Sequence, residues 1–420
     1  MSITASGSRI IRIHQNIIGP GEPKAKTIMP RRESDFPGVP GVYLKAAIKY
    51  TDPALLGPPL CDELIDLIQH MFTEEEAAVF LPLGILPGKT AATVAKETRL
   101  PLETVKTILT GLAEEKRFII HSGPDDNPKY HLIPLMPGVF ELCLIRPSLD
   151  SLTDWHRRFA ELMEALYETG YMAEHMRGKG PALVRYLPTQ QTIESHPMAL
   201  PSDKLEIILD RYKVFGVGIC QCRLTEEIMG RGCGREKLNC AIMGEGAETA
   251  IRNGTVKQVT RAEMLAIKLE AEAQGMVNWM FNVENAGTQS SCSCCGCCCH
   301  NLKTISEFNV PSSIAPPHFL PKVDAAKCNH CGKCALNCPM AAITVHTKEK
   351  TYTHREERCI GCGLCVIACE KQKAIVMEPV PDYKLPYKSW FSFVSRAVPH
   401  AIVQKRRINR ERRTAMSGKI

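Results

Sequence analysis

Two stretches, CNHCGKCALNCP at residues 328–339 and CIGCGLCVIACE at residues 359–370, decide what the last third of this chain can form. Each is a C-x-x-C-x-x-C-x-x-x-C run. Three cysteines on one tight loop can hold three corners of a [4Fe–4S] cubane, and the fourth reaches across to the other cubane. The spacing therefore predicts two clusters with crossed ligands. One cluster is held by Cys328, Cys331, Cys334 and Cys369, and the other by Cys359, Cys362, Cys365 and Cys338.

The doubled run resembles that of bacterial-type ferredoxins and defines a 2[4Fe–4S] module over residues 323–380. Gly332, Gly361 and Gly363 are expected to let the loops close around the clusters with N–H groups pointing at sulfur. Between the runs, AITVH and TYTH can pair as a β-hairpin around KEK. Zinc also binds C-x-x-C pairs, but it explains a doubled eight-cysteine pattern less well.

Composition places these clusters in a sizeable protein of several domains. The chain has 420 residues and 20 cysteines, of which only Cys61 and Cys143 lie outside the segment from Cys220 to Cys369. These two are expected to be buried apolar residues. Clustered thiolates belong in a reducing compartment, and no signal-peptide core is seen in the first thirty residues, so a cytoplasmic location is expected. No run of 18 apolar residues occurs, which excludes a simple transmembrane helix.

The N-terminal part divides into an extended arm over residues 1–60 and a helical domain over residues 61–150. Within the latter, the periodicity predicts a winged-helix-like arrangement, in which helices are followed by a two-stranded wing. The predicted helices are Asp62–Phe72, Glu74–Leu81, a short helix capped by Thr90 and ending near Thr98, and a longer helix with Leu102, Val105, Leu109 and Leu112 on one face. The wing is formed by RFIIHS at 117–122 and YHLI at 130–133.

The middle of the chain is expected to be mainly helical. Residues 151–289 form a helical domain with predicted helices over 151–169, 203–213 and about 261–275. A cysteine-rich segment and linker follow over residues 290–322. The predicted fold class is thus α+β and multidomain: a winged-helix-like N-terminal domain, a mainly helical, cysteine-containing middle and a ferredoxin-like 2[4Fe–4S] module.

Ten further cysteines are candidate metal ligands in this middle region. Cys220, Cys222, Cys233 and Cys240 can close on one tetrahedral ion or one cubane. The run SSCSCCGCCCH contributes Cys292, Cys294, Cys295, Cys297, Cys298 and Cys299. Adjacent cysteines diverge in direction, so these six thiols cannot all serve one cluster. An iron–sulfur cluster, structural zinc and non-ligating thiols all remain open, and one layout has the two segments together enclosing one or two further clusters.

By these motifs the chain resembles the multi-cluster ferredoxin-type proteins of anaerobic bacteria and archaea. In these a winged-helix-like region precedes a C-x-C-R…C…C segment, a C-x-C-C-G-C-C-like run and a two-cluster ferredoxin module. The resemblance covers about residues 70–380 and is carried by Cys220-Gln221-Cys222-Arg223 with Cys233 and Cys240, by CSCCGCCC and by the eight ferredoxin cysteines. Glu370 departs from the proline usual at that position, and the tail after Pro379 has no counterpart.

The expected function is low-potential iron–sulfur electron transfer to or from a larger oxidoreductase in anaerobic metabolism. A redox-responsive regulator with a DNA-binding winged helix is the alternative. However, residues 101–117 carry three acidic and three basic side chains, which favours a scaffold or protein-docking role over DNA. Thiol–disulfide reduction at the middle cysteines is a third hypothesis. Neither nucleotide-binding loops nor hydrolase motifs occur, so no catalytic residue is named.

Charge suggests where partners bind. The net charge of +7 is concentrated in residues 405–420, which hold seven Lys and Arg against Glu411. With Trp390, Phe391 and Phe393 ahead of it, the basic tail over 381–420 suits an acidic partner or an anionic membrane surface at the inner face. A partly disordered extension is the alternative, and Pro399 is expected to break any continuous helix. The cations beside the ferredoxin ligands could raise cluster potentials, dock an acidic redox partner or simply face solvent; they are Lys327, Lys333, Arg358, Lys371 and Lys373.

Overall fold

The computed structural model describes residues 10–176, 180–310 and 314–416, and it combines helices with four sheets, in agreement with the predicted α+β class. The strands are β1 Ile11–His14, β2 Ile17–Pro20, β3 Lys89–Thr90, β4 Ile119–Ser122, β5 Lys129–Leu132, β6 Val184–Tyr186, β7 Phe215–Ile219, β8 Leu238–Gly244, β9 Lys257–Val259, β10 Val277–Phe281, β11 Thr288–Cys294, β12 Phe319–Val323, β13 Ile343–His346, β14 Thr351–His354 and β15 Ile375–Pro379.

The helices match several of the ranges expected from periodicity. They are α1 Gly41–Tyr50, α2 Asp62–Met71, α3 Glu74–Phe80, α4 Ala91–Thr98, α5 Leu102–Thr110, α6 Phe140–Leu144, α7 Asp154–Glu168, α8 Gln190–Ile193, α9 Leu205–Leu209, α10 Gln221–Ile228, α11 Glu245–Arg252, α12 Arg261–Ala273, α13 His300–Ser306, α14 Lys333–Leu336, α15 Leu364–Ala368 and α16 Trp390–Met416.

The chain forms two compact units. Among the described residues, the first unit takes those within 1–25, 146–149 and 176–400, and the second takes those within 26–145, 150–175 and 401–420. The first unit contains all 18 of the clustered cysteines. The second contains Cys61 and Cys143, and both of these are buried as expected.

The second unit holds the helices and hairpin predicted after residue 61. The Thr90 hydroxyl accepts the N–H of Thr93 and starts α4, as a capping threonine should. Strands β4 and β5 pair in register from Ile119 opposite Leu132, and β3 adds to β5. Helix, helix and hairpin therefore follow one another in the predicted order.

The N-terminal segment differs from the extended arm expected over residues 1–60. Strands β1 and β2 form a hairpin, and β2 pairs with β13 of the ferredoxin hairpin to make a four-stranded sheet in the order β1-β2-β13-β14. Burial explains the difference, because Ile10, Ile11 and Ile18 pack into the same apolar cluster as Ile343 and Val345. Helix α1 follows at Gly41–Tyr50.

The middle of the chain contains a sheet that the mainly helical prediction omits. Six antiparallel strands run in the order β6-β10-β11-β8-β7-β9. Their sequences, such as FGVGI and TQSSCSC, lack the alternation of apolar and polar residues by which strands are recognised. One face packs under α9 and α12 through residues such as Val217 and Met243. The other face carries Val184, Tyr186 and Val277 and packs against the ferredoxin ligands.

The C-terminal helix α16 continues through Pro399, which was expected to break it. Within the second unit, residues after the proline are held by ion pairs. Lys405 Nζ lies 2.8 Å from Asp52 Oδ1, Arg407 Nη1 lies 2.9 Å from Glu411 Oε1, and the buried Arg412 pairs with Glu174. These contacts offset the one main-chain hydrogen bond that proline removes.

Within the part of the chain that the structure describes, no helix combines the length and the apolar character needed to cross a bilayer.

Candidate iron–sulfur sites

The spacing of the two runs assigns the eight ferredoxin cysteines to two crossed sets. The first ferredoxin set is Cys328, Cys331, Cys334 and Cys369, and the second is Cys338, Cys359, Cys362 and Cys365. In the first set, burial raises the pKa of Cys334, and the negative charges of the other three thiolates raise it further. In the second set, burial raises the pKa of Cys359, Cys362 and Cys365, and the charge of Cys338 raises each of them further. These neighbours, and the pocket that Cys338 lines together with Cys359, Cys362 and Cys365, are those expected if each cluster takes three cysteines of one run and the fourth cysteine of the other run.

The local backbone explains how each loop presents its ligands. Gly332 and Gly363 stand just before α14 and α15 with φ of 77° and 79°, a conformation that glycine adopts without strain. The main-chain N–H of Ala342 donates to Cys338 Sγ at 3.3 Å, and that of Gly361 donates to Cys359 Sγ at 3.4 Å. Such N–H···S bonds stabilise thiolates and tune a bound cluster.

The surroundings of the second ferredoxin set fit a buried cluster. Its thiols line a pocket closed by apolar residues such as Met340, Ile343 and Ile360. Burial raises the pKa of Cys362 to about 12, so thiolates there need a compensating cation such as iron. The Tyr352 hydroxyl is buried among cysteines of both sets and has no hydrogen-bond partner among the described residues. A cluster sulfur would supply the acceptor that this hydroxyl lacks.

The middle cysteines form two groups that cut across the quartet expected from sequence. Cys233 leaves that quartet and joins Cys295, Cys297 and Cys298, with all four Sγ atoms within 4.8 Å of one another. This group is called the tetrathiolate site. The other six thiols are called the central thiol group, namely Cys220, Cys222, Cys240, Cys292, Cys294 and Cys299. Consecutive residues therefore separate: Cys294 and Cys299 belong to the central group, and their neighbours Cys295 and Cys298 to the tetrathiolate site.

The central thiol group is assembled from strand ends and helix starts. Cys240 and Cys292 adjoin the paired residues Ala241 and Ser291 on β8 and β11, and their Sγ atoms lie 3.3 Å apart. Cys222, in the first turn of α10, has its Sγ 3.2 Å from His300 Nδ1. Cys299 stands just before α13, and its neighbours Cys222 and Cys294 lower the pKa of its thiol.

The central thiol group adjoins the second ferredoxin set. Cys294 and Cys299 belong to the same buried cluster of side chains as Cys338 and Cys362. Gly296 packs directly against Pro339, since a Cβ at position 296 would stand 2.1 Å from the main-chain oxygen of Pro339, the residue after Cys338. The cysteine-rich run and the ferredoxin loop are therefore in direct main-chain contact.

Several polar side chains around the thiols were missed in the sequence. Tyr186 Oη lies 3.9 Å from Cys299 Sγ, and Lys268 is fully buried on α12 with Nζ donating to Ser291 O at 2.6 Å and Asn239 O at 3.0 Å. Arg358 is 2% exposed and donates to Ser306 O and Met340 O, which contradicts the docking and solvent-facing alternatives considered for it. In the sequence, the one signal for Lys268 was its position as a single cation on the apolar face of α12.

A partly buried carboxyl near the second ferredoxin set has a shifted pKa. Glu272, at the end of α12, accepts the N–H of Gln190 at 2.9 Å and the side-chain N–H of Asn278 at 2.7 Å. Burial raises its pKa to about 7, which these hydrogen bonds and Lys268 only partly counteract.

We expect Glu272 to make the protein less stable as the pH rises. Its folded pKa lies above its ordinary 4.5, so the folded chain holds more protons between pH 4.5 and 7. The resulting stability is complete below pH 4.5 and is lost as the pH rises to 7, by at most about 3 kcal/mol. Anaerobic urea unfolding at pH 5.5 and pH 8 measures this, and Glu272→Gln should show the smaller difference. If the wild type and Glu272→Gln lose the same stability between pH 5.5 and pH 8, Glu272 is not the group responsible.

Comparison with known proteins agrees with the geometry of the ferredoxin sets. Residues 327–373 match a family described as a 4Fe-4S dicluster domain. The electron transport protein HydN of Escherichia coli is 31% identical over 113 residues, which cover 24% of this chain and 62% of HydN. An uncharacterized ferredoxin of Methanocaldococcus jannaschii is 38% identical over 93 residues, which cover 22% of this chain and 52% of the ferredoxin.

The extent of these matches limits what they describe. The chain spans 62% and 52% of the lengths of these two relatives, which is less than two thirds in each case. No solved structure matches the chain significantly. The chain therefore contains a ferredoxin-type iron–sulfur domain, and the rest of its architecture is described by its own structure.

Proposed function

We propose that this protein relays electrons between a redox partner protein and a larger oxidoreductase. The observation that carries the proposal is the pair of crossed cysteine sets, which suits two [4Fe–4S] clusters held close together. When bound, each cluster accepts and releases one electron. The residues of this chain hold the clusters, exclude water and fix their distance from the surface. HydN is itself described as an electron transport protein.

The burial of the ligands indicates a route. Cys331 of the first ferredoxin set is exposed, whereas Cys338, Cys362 and Cys365 of the second are buried. The first set therefore faces the external partner, and the second set passes the electron inward. From there, the shared core with Cys294 and Cys299 leads to the central thiol group. We propose that this group extends the relay by a further centre.

Surface charge indicates the class of partner. Lys333, Lys371 and Lys373 are exposed beside the first ferredoxin set, so an acidic redox protein is the partner that this surface fits. The start of α16 adds apolar side chains, with Phe391 83% exposed and Val394 and Val398 about half exposed. This segment is a second candidate contact for the partner or for an anionic membrane surface. We expect these reactions in the reducing cytoplasm of an anaerobe.

The winged-helix-like region of the second unit is proposed to serve docking rather than DNA binding. On α5, the exposed Lys106 pairs with Glu103 at 2.9 Å, which leaves no concentrated positive charge there for phosphates. The regulator alternative requires such a surface.

Metal analysis with EPR spectroscopy tests the proposal. Protein purified without oxygen should contain at least about eight irons with matching acid-labile sulfide, because each cluster has four. Reduction should give the EPR signal of [4Fe–4S]⁺ clusters. Cys362→Ser should lose the second cluster, and electrons from a reduced acidic donor protein should then stop at the first cluster, because the inward path is interrupted.

Cys61→Ser provides the matched control. Cys61 is equally buried, but it lies in the second unit and precedes α2, where serine is a favourable cap. Iron content and EPR signal should be unchanged in this variant. Wild-type protein with about four irons or fewer would refute the two-cluster relay, because four irons make only one cluster.

A further inference from the structure

The four thiols of the tetrathiolate site are spaced for a single ion. Cys233 Sγ lies 4.0 Å from Cys295 Sγ, and Cys297 Sγ lies 3.7 Å from Cys298 Sγ. Four sulfurs bound tetrahedrally at the usual zinc–sulfur distance of about 2.3 Å stand about 3.8 Å apart. The observed separations match this value.

A cubane requires a wider arrangement. Its four thiolates sit on different iron corners, so iron–iron edges separate them in addition to the iron–sulfur bonds. Among the residues that the structure describes, the tetrathiolate site alone brings three or more candidate ligand atoms within 4.8 Å of one another. The two ferredoxin sets are thus more widely spaced than the tetrathiolate site.

The surroundings supply both a dry pocket and balancing charge. Cys295, Cys297 and Cys298 are buried against Ala271 and Met276. Two guanidinium groups donate to the thiols: Arg223 Nη1 to Cys295 Sγ at 3.9 Å and Arg235 Nη1 to Cys297 Sγ at 3.7 Å. Four thiolates around one divalent ion carry a charge of −2, which two arginines offset. Donors around the ligand sulfurs are typical of such sites.

We propose that Cys233, Cys295, Cys297 and Cys298 bind one structural zinc ion. Four protein ligands close the coordination sphere, so the ion has no open position for a substrate and no redox chemistry of its own. Its effect is mechanical. It fastens residues 231–237, which have no regular secondary structure, to the chain that continues from β11. By fixing Cys295 and Cys298, it also sets the positions of their neighbours Cys294 and Cys299 in the central thiol group.

Zinc-edge X-ray absorption of the full-length protein tests this inference without a variant. Cells are grown with both iron and zinc, and the protein is purified without oxygen or chelators. The expected result is one zinc per chain with four sulfur neighbours at about 2.3 Å. Absence of zinc would overturn the proposal, as would zinc with mainly nitrogen or oxygen neighbours.

Variants then locate the ion. Cys233→Ser should lose most of the zinc and leave the EPR signals of the ferredoxin clusters unchanged, whereas Cys233→His should retain zinc because imidazole is also a good zinc ligand. Cys61→Ser is the control and should keep both metals. If Cys233→Ser instead loses about four irons and no zinc, the site holds a cluster and the zinc proposal is wrong. If Cys233→Ser loses a single iron and no zinc, the site holds one iron ion, and the zinc proposal is also wrong.

Discussion

Replacing Gly296 with alanine should displace the loop that holds Cys338 and remove much of the second ferredoxin cluster. The new Cβ would lie 2.1 Å from Pro339 O and 2.8 Å from Pro339 C. These are main-chain atoms, so they cannot rotate away as a side chain could. Overpacking of this kind costs about 1–3 kcal/mol. We expect iron to fall by up to one cluster, together with a lower midpoint in anaerobic urea unfolding.

Gly232→Ala is the matched control for this substitution. Gly232 adjoins Cys233 in the same unit, and its added Cβ would meet Glu227 at an ordinary 3.5 Å. Iron content and unfolding midpoint should stay close to those of the wild type. Full iron occupancy in Gly296→Ala would show that the two loops separate easily, and it would weaken the proposed path from the second ferredoxin set to the central thiol group.

Replacing Arg412 with alanine should strongly destabilise the second unit. Arg412 is 8% exposed and donates from Nε and Nη2 to Glu174 Oε2 at 3.0 and 2.8 Å. It also donates to the main-chain oxygens of Thr51 and Gly57. Breaking one partner of a buried ion pair costs about 3–5 kcal/mol. Thermal unfolding should show a lower transition temperature for this unit, while the iron content stays unchanged.

The neighbouring Arg413 supplies the control, because it is exposed on the same turn of α16. Arg413→Ala should change stability by less than about 1 kcal/mol.

The ion pair between Arg412 and Glu174 also predicts that stability depends on pH. Burial alone would raise the pKa of Glu174, but Arg412 and Lys26 hold it below its ordinary 4.5. The stabilisation is therefore present above pH 4.5 and lost as the pH falls through the folded pKa, more in wild type than in Arg412→Ala. Equal acid sensitivity would contradict this account.

The parts of the protein that were predictable from sequence are governed by local patterns. Cysteine spacing identified the two ferredoxin runs, which match a 4Fe-4S dicluster domain, because a short loop constrains where its own thiols can point. Apolar periodicity likewise predicted α2, α7 and α12 to within a few residues. In the second unit, Thr90 identified the start of α4.

The grouping of the middle cysteines depends on long-range pairing, which local spacing does not report. Cys233 and Cys295 are separated by 62 residues, and they meet because a six-stranded sheet brings β8 beside β11. The strands of that sheet have three to seven residues, and β7 and β11 are rich in Gly or in Ser and Cys, so no recognisable period appears in the sequence. The same limit applies to the N-terminal hairpin, whose Ile18 pairs with Val345 far along the chain.

That hairpin determines how the iron–sulfur module can be isolated. Strand β2 covers one edge of β13, and Ile18 lies over the loop at Gly332, where its Cδ1 would stand 2.3 Å from an added Cβ. A fragment cut near residues 323 and 380 would uncover this edge and leave its N–H and C=O groups unpaired. Exposed edges of this kind add strands from other molecules and promote aggregation. The smallest soluble fragment of the module should therefore include residues 10–25, supplied on the same chain or added as a separate peptide.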